Sequence, residues 1–211
     1  MTGFPTPRTL ILASISLFVA VGFSGCGSNS SFGGDTRNKM IVSVSDQKML
    51  LVRDGTPVKS YKISTSKFGI GDRPGSNCTP LGRLQVAKKI GDNAPIGGVF
   101  KSRRPTGEVL KPNAPGRDPV VTRILWLTGT ESRNQNAFRR TIYIHGTPEE
   151  RRLGSPASYG CIRMGSKDVA DLYNRIGTGA DVFVIRGSIQ SDKTSFYSSA
   201  SVGKTGFRTG G

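Results

Sequence analysis

The sequence predicts a mainly β domain of sandwich type with one packed helix, and three observations carry that prediction. The 211 residues include 28 Gly and 12 Pro, a proportion that suits frequent turns and argues against a helical bundle. Short apolar runs alternate with turn signals through the middle of the chain. Only one stretch holds the helical period over several turns. The length suits a single domain with tails, large enough to fold without disulfide staples.

Taken in order, Met40 to Val44 (MIVSV) and Lys48 to Arg53 (KMLLVR) read as strands separated by Ser45-Asp46-Gln47. Asp54-Gly55 then signals a hairpin into Val58 to Thr65 (VKSYKIST). Lys67 to Pro80 is rich in Gly and Pro and reads as a loop. Gly82 to Lys88 alternates as a strand does, and Lys89 to Arg117 reads as a long surface excursion that shapes a cleft. Val120 to Leu127 and Thr141 to His145 (TIYIH) are further strands. The helix starts at Ser166 as its cap, with Asp168 in the first turn. Val169, Leu172, Tyr173 and Ile176 line its buried face, and Gly177 closes it. Asp181 to Arg186 (DVFVIR) is the last strand.

The ends read differently. Arg8 precedes Thr9 to Phe23, an uncharged and mostly apolar stretch, shorter than the ~20 residues of a spanning helix and fitting the core of an export signal. Phe23-Ser24-Gly25-Cys26 follows. It resembles a bacterial lipobox, in which Cys26 becomes the lipid-modified first residue; the alternative is an ordinary cleaved signal with Cys26 incidental. Residues 26–38 read as a polar tether and residues 188–211 as a disordered tail rich in Ser, Thr and Gly. This leaves 1–25 as signal peptide and 39–187 as the folded domain.

Thirty Lys and Arg against 14 Asp and Glu give a net charge of +16. In a cytosolic protein that balance points to nucleic acid. In an exported one the polyanions are cell-wall carboxylates and lipid headgroups, so no nucleic-acid partner is expected, and part of the charge is a solvated face. One His excludes any site built on two histidines. With Cys26 assigned elsewhere, the remaining Cys78 and Cys161 cannot complete a four-ligand zinc site with it, and no metal or cofactor is expected.

The chemistry concentrates between His145 and Met164. His145 ends a strand, and Cys161 lies in a Gly-containing turn, Ser158-Tyr159-Gly160-Cys161. A nucleophilic Cys needs a base to take its proton and amides to stabilise an oxyanion. Gly160 lets backbone approach a substrate carbonyl closely. Spacing alone leaves open a core histidine beside an inert thiol.

The run Tyr143 to Met164 (YIHGTPEERRLGSPASYGCIRM) resembles the catalytic signature of the L,D-transpeptidases of YkuD type: His-Gly, a spacer, then Ser/Thr-His-Gly-Cys and Ile/Val-Arg. Upstream, Val42 to Val52, Ser64-Thr65-Ser66, Gly75 to Gly82 (GSNCTPLG) and Ile124 to Leu127 match the family's opening hairpin, its T-P-x-G loop and a later strand. The resemblance implies Cys161 as nucleophile, His145 as base and the Gly160 and Cys161 amides as oxyanion donors. It also implies Arg163 orienting the turn and a substrate carboxylate, with Ser158 and Gly146 at family positions. Tyr159 stands where the family usually has a second His; a phenol donates a hydrogen bond but is no base near neutral pH. The implied substrate is a peptidoglycan stem tetrapeptide, cleaved before its terminal D-Ala. The acyl group passes to an amine on another stem or on an envelope protein, or to water in an L,D-carboxypeptidase. A non-catalytic wall-binding lipoprotein is the competing class. The implied location is the bacterial envelope, facing the periplasm and held to the membrane by the Cys26 lipid.

Three other features lie near this constellation. Cys78 either pairs with Cys161 or stays a free thiol. Trp126 reads as core. Glu149 to Arg152 (EERR) reads as a solvated charged loop beside the cleft.

Overall fold

A computed structural model describes residues 1–3 and 34–190. Residues 4–25 of the signal segment, Cys26 and all of the tail beyond Gln190 lie outside the described residues. Among the described residues ten strands and one α-helix follow one another: β1 (Asn38–Ser43), β2 (Lys48–Arg53), β3 (Thr56–Ser64), β4 (Gly82–Ile90), β5 (Gly98–Lys101), β6 (Arg104–Val109), β7 (Val120–Gly129), β8 (Tyr143–Gly146), β9 (Ile162–Met164), α1 (Ser166–Arg175) and β10 (Asp181–Ile185).

The expected β-rich domain with one helix is what forms, and its strands make one sheet in the order β4-β10-β1-β2-β3-β9-β8-β7-β5-β6. β4 also pairs with β7, so the strand pairing closes on itself. Closure removes the free edges of β4 and β7, which would otherwise expose unpaired backbone groups. Only β5 and β6 hang outside the ring, and β6 is exposed along its whole length.

Strand alternation sorts the side chains. Ile144 on β8 and Ile162 and Met164 on β9 enter the main core with Met40, Leu51, Leu84, Leu125 and Val182. Tyr143 and Cys161, one residue out of phase, join a second, smaller cluster with Phe100 and Ile124 on the opposite face.

Helix α1 presents Val169, Leu172, Tyr173 and Ile176 to the main core, as its period requires. It packs on β7 and β8. Each fully buried aliphatic side chain here contributes about 1.5–3 kcal/mol. The helix begins one residue earlier than its sequence suggests: Gly165 is the N-cap and Ser166 the first helical residue. The Ser166 amide is satisfied by a distant side chain, Glu150 Oε1 at 2.8 Å, so no local cap is needed. At the other end Ile176 is already extended, and Lys89 Nζ donates to the Tyr173 and Ile176 carbonyls at 2.7 Å each. A cation at a helix C-terminus is the favourable sign.

The excursion 89–117 holds more order than its composition suggests. It contains the β5–β6 hairpin, whose turn residues Ser102 and Arg103 have φ of 49° and 66°. Non-Gly residues at positive φ carry no hairpin signal in composition. Beyond β10, Ser188 Oγ and the Ile189 amide both donate to Asp46 Oδ2 at 2.9 Å.

Candidate active site

β8 and β9 run parallel, with Ile144 opposite Ile162 and His145 opposite Arg163. The alternation that buries Ile144 and Ile162 therefore turns Tyr143, His145, Cys161 and Arg163 to the other face together. β9 has only three residues and was not legible as a strand, yet it holds Cys161 and Arg163 in register with His145.

His145 is buried, and its Nδ1 lies 2.8 Å from the Gly146 carbonyl. A carbonyl can only accept, so this contact places the proton on Nδ1 and leaves Nε2 as a proton acceptor. Burial holds the imidazole below its ordinary pKa, against the opposing effects of the Gly146 carbonyl and Asp118. Gly146 lies tight against β7: a Cβ there would sit 2.6 Å from the Val121 carbonyl oxygen. β7 bulges at this point, with Thr122 at φ 70°.

Cys161 is half-buried at the start of β9. The Tyr143 amide donates to its Sγ at 3.4 Å, and the thiol donates to the Thr141 carbonyl at 3.5 Å. Burial pushes the thiol up to about 11, against the lowering effects of the Tyr143 amide, Arg140 and Arg163. The resting pair is thus a neutral thiol and a neutral imidazole, and no hydrogen bond joins them. Sγ opens into a cleft of about 230 Å³ lined by Gly75, Asn77, Arg140, Thr141, Ile142 and Tyr159.

The turn before Cys161 is cross-braced. Ser158 Oγ donates to the Cys161 carbonyl at 2.5 Å and accepts from the Gly160 amide at 3.2 Å. Gly160 has φ of 116°, which a side chain would strain, and its carbonyl accepts from Thr79 Oγ1 at 3.0 Å. Tyr159 is 64% exposed at the rim. Lys67 Nζ donates to its hydroxyl at 3.0 Å and holds the phenol below its ordinary pKa. Phe68 packs beside it, with ring centroids 5.4 Å apart.

Two ion-pair networks flank the cleft, and sequence reading found neither. Arg140 and Asp72 form a buried pair at 2.9 Å, and Arg140 also donates to the Gly71 and Cys78 carbonyls at 3.0 and 2.7 Å. This ties the loop 67–80 to the segment before β8. On the other side Arg163 pairs with Asp118 and with Glu149 at 3.2 Å, while Asp118 accepts from Thr147 Oγ1. Glu149 and Glu150, expected as solvated charges, instead brace Arg163 and helix α1. Isolated charged letters give no periodic signal, so nothing local marked these pairs. Cys78 and Cys161 are both free thiols, and Cys78 Sγ donates to the Phe68 carbonyl at 3.1 Å. Trp126 stacks on Phe138, centroids 4.2 Å apart and planes 5° from parallel.

Residues 37–185 match the family model of the YkuD L,D-transpeptidase catalytic domain. The chain belongs to that family. The match spans β1 through β10 and so includes the whole closed sheet, the His145 strand and the Cys161 turn. No curated protein matches the chain. Solved structures similar to this L,D-transpeptidase-family chain include an L,D-transpeptidase from Mycobacterium smegmatis, at 14% identity and TM-score 0.46, covering 71% of this chain and 58% of that one. Another, from Mycobacterium tuberculosis, is 21% identical with TM-score 0.46 and the same coverages, 71% and 58%. A third, from Xylanimonas cellulosilytica, is 18% identical with TM-score 0.46, covering 70% and 60%. The chain thus spans about three-fifths of the length of these solved proteins. Among the described residues no helix is long and apolar enough to cross a membrane.

Proposed function

We propose that this chain is an L,D-transpeptidase of bacterial peptidoglycan that works through a Cys161 thioester. The observation that carries the reading is the His145 tautomer. With Nδ1–H given to the Gly146 carbonyl, Nε2 is an acceptor on the same sheet face as Cys161.

In this reading the thiol turns its proton from the Thr141 carbonyl to Nε2 as Sγ attacks the carbonyl before the terminal D-Ala. Attack and proton transfer proceed together, because burial disfavours a preformed thiolate–imidazolium pair. Backbone amides of the Gly160–Cys161 turn stabilise the oxyanion. The C–N bond breaks, and D-Ala leaves with the proton from imidazolium. An amine on a second stem peptide then attacks the thioester and gives its proton to His145, and the thiol is regenerated. Arg163, braced by Asp118 and Glu149, fixes the strand that carries Cys161.

Export, and anchorage through a lipid on Cys26 at the envelope, belong to the same proposal; the sequence of the leader supports them. The deciding experiment incubates the purified protein with tetrapeptide muropeptides. Released D-Ala and crosslinked dimers are expected, and Cys161→Ala abolishes both. Full activity in that variant would overturn the mechanism. Monomeric tripeptide as the only product would assign water as the acceptor.

A further inference from the structure

The T-P-x-G loop, Thr79-Pro80-Leu81-Gly82, has no task in the chemistry proposed above. Its first residue is fully buried, and its hydroxyl reaches across to the turn that carries Cys161.

The two amides of that turn are not equivalent. The Gly160 amide donates to Ser158 Oγ at 3.2 Å. The Cys161 amide donates to no acceptor among the described residues, although Cys161 lines the cleft. A free N–H beside a nucleophile is where a developing oxyanion finds its donor. The direction of that N–H is set by the peptide it belongs to. In a trans peptide the C=O and N–H bonds point opposite ways, and the described residues hold no cis bond. Gly160 has φ of 116° and no side chain, so the Gly160–Cys161 peptide can flip at little cost unless something holds it.

Thr79 holds it. Its Oγ1 donates to the Gly160 carbonyl at 3.0 Å and accepts from the Ser66 amide at 3.0 Å. An amide can only donate, so the single Thr79 hydroxyl proton is committed to Gly160. The Thr79 backbone is fixed as well: its amide donates to the Gly69 carbonyl at 3.0 Å, and its carbonyl accepts from the Gly71 amide at 2.9 Å. The loop also lies against Gly160 itself, where a Cβ would meet the Cys78 carbonyl oxygen at 3.2 Å.

We propose that Thr79 is the positioning residue of the oxyanion site: by pinning the Gly160 carbonyl it aims the Cys161 amide at the oxygen of the carbonyl under attack. The inference deepens the thioester reading above and rests on Cys161 as nucleophile. Within the turn it narrows the oxyanion donor to the Cys161 amide.

The test compares the full-length parent with Thr79→Val, which keeps the shape and loses the hydroxyl, and with Thr79→Ser, which keeps the hydroxyl. Two probes react with Cys161 at one pH and are read there by peptide mass. With p-nitrophenyl acetate, Sγ adds to the carbonyl through an oxyanion, the C–O bond breaks, p-nitrophenolate leaves, and the thiol proton passes to His145. With iodoacetamide, Sγ displaces iodide directly and no oxyanion forms. Thr79→Val is expected to slow acylation on the order of tenfold to a hundredfold and to leave alkylation at the parent rate. Thr79→Ser restores acylation. With a stem tetrapeptide the loss in Thr79→Val falls on kcat rather than KM. Equal loss of acylation and alkylation would reduce Thr79 to a structural role and overturn the proposal. So would full acylation in Thr79→Val, or a Thr79→Ser variant no better than Thr79→Val. If Thr79→Val does not fold, NMR of the parent labelled at its cysteine amides decides: the Cys161 amide proton moves downfield on acylation, and an unmoved resonance overturns the inference. The ester needs no peptide site, so failure of D-Ala release leaves this measurement standing. Failure of the parent to acylate at Cys161 would instead overturn the thioester reading, and this inference with it.

Discussion

Cys161 and His145 are both held neutral by burial, and each makes the protein sensitive to pH in a defined direction. The thiol has an ordinary value of 9.0 and sits at about 11 in the fold. Between these values the unfolded chain has lost a proton that the folded chain keeps. Stability is therefore intact below about pH 9 and declines as pH rises through about 11. Thermal unfolding across this range should show a smaller alkaline loss in Cys161→Ala than in the parent, the two sharing every tyrosine. The same burial makes alkylation of Cys161 by iodoacetamide slow at pH 7 and faster up to about pH 11 in the absence of substrate. His145 works at the other end. Its folded pKa lies below the ordinary 6.5, so below that pH the unfolded chain binds a proton the folded one refuses. Stability then falls as pH drops from 6.5 through the folded value, and His145→Gln should flatten that slope in denaturant titrations. At this scale the sequence marked both positions, His145 at a strand end and Cys161 in a Gly-containing turn, and the resemblance supplied the expectation that they work as a pair. It did not show their protonation, which depends on what buries them.

At the scale of elements, the register of β8 against β9 and the closeness of β8 to β7 set the site. Gly146→Ala puts a methyl carbon 2.6 Å from the Val121 carbonyl oxygen, a backbone atom that cannot rotate away. The expected cost is about 1–3 kcal/mol in chemical unfolding, with loss of acyl transfer as His145 is displaced. The loop 67–80 depends on Arg140 instead. Arg140→Ala leaves Asp72 buried without its partner, and a destabilisation of about 3–5 kcal/mol is expected by urea titration. Strands β1, β2, β4 and β7 and the face of α1 were legible from alternation and helical period. β9 was not, since three residues cannot establish a period. The β5–β6 hairpin was hidden because its turn uses Ser102 and Arg103 at positive φ. The cap of α1 was misplaced because Glu150, far along the chain, supplies the acceptor that Ser166 was expected to provide.

For the whole molecule, a charge of +16 and a sequence pI near 10.3 predict electrostatic attraction to polyanions, among them the wall carboxylates that the proposed function requires it to meet. Co-sedimentation with isolated peptidoglycan should weaken as salt rises past the ~8 Å Debye length of physiological ionic strength. Salt-independent retention would assign binding to the cleft alone. What the sequence determined by itself was what is written in a local period or a short motif: the β-rich class, the single amphipathic helix, and the family signature that contains His145 and Cys161. Tertiary structure alone decided the order of strands, the closure of β4 onto β7, the Arg140–Asp72 and Arg163–Asp118 pairs, and the cleft that Cys161 shares with Tyr159. The reason is physical. Alternation follows from backbone geometry within a few residues, whereas strand partners and buried charges meet only after long loops have closed and water has been excluded from between them.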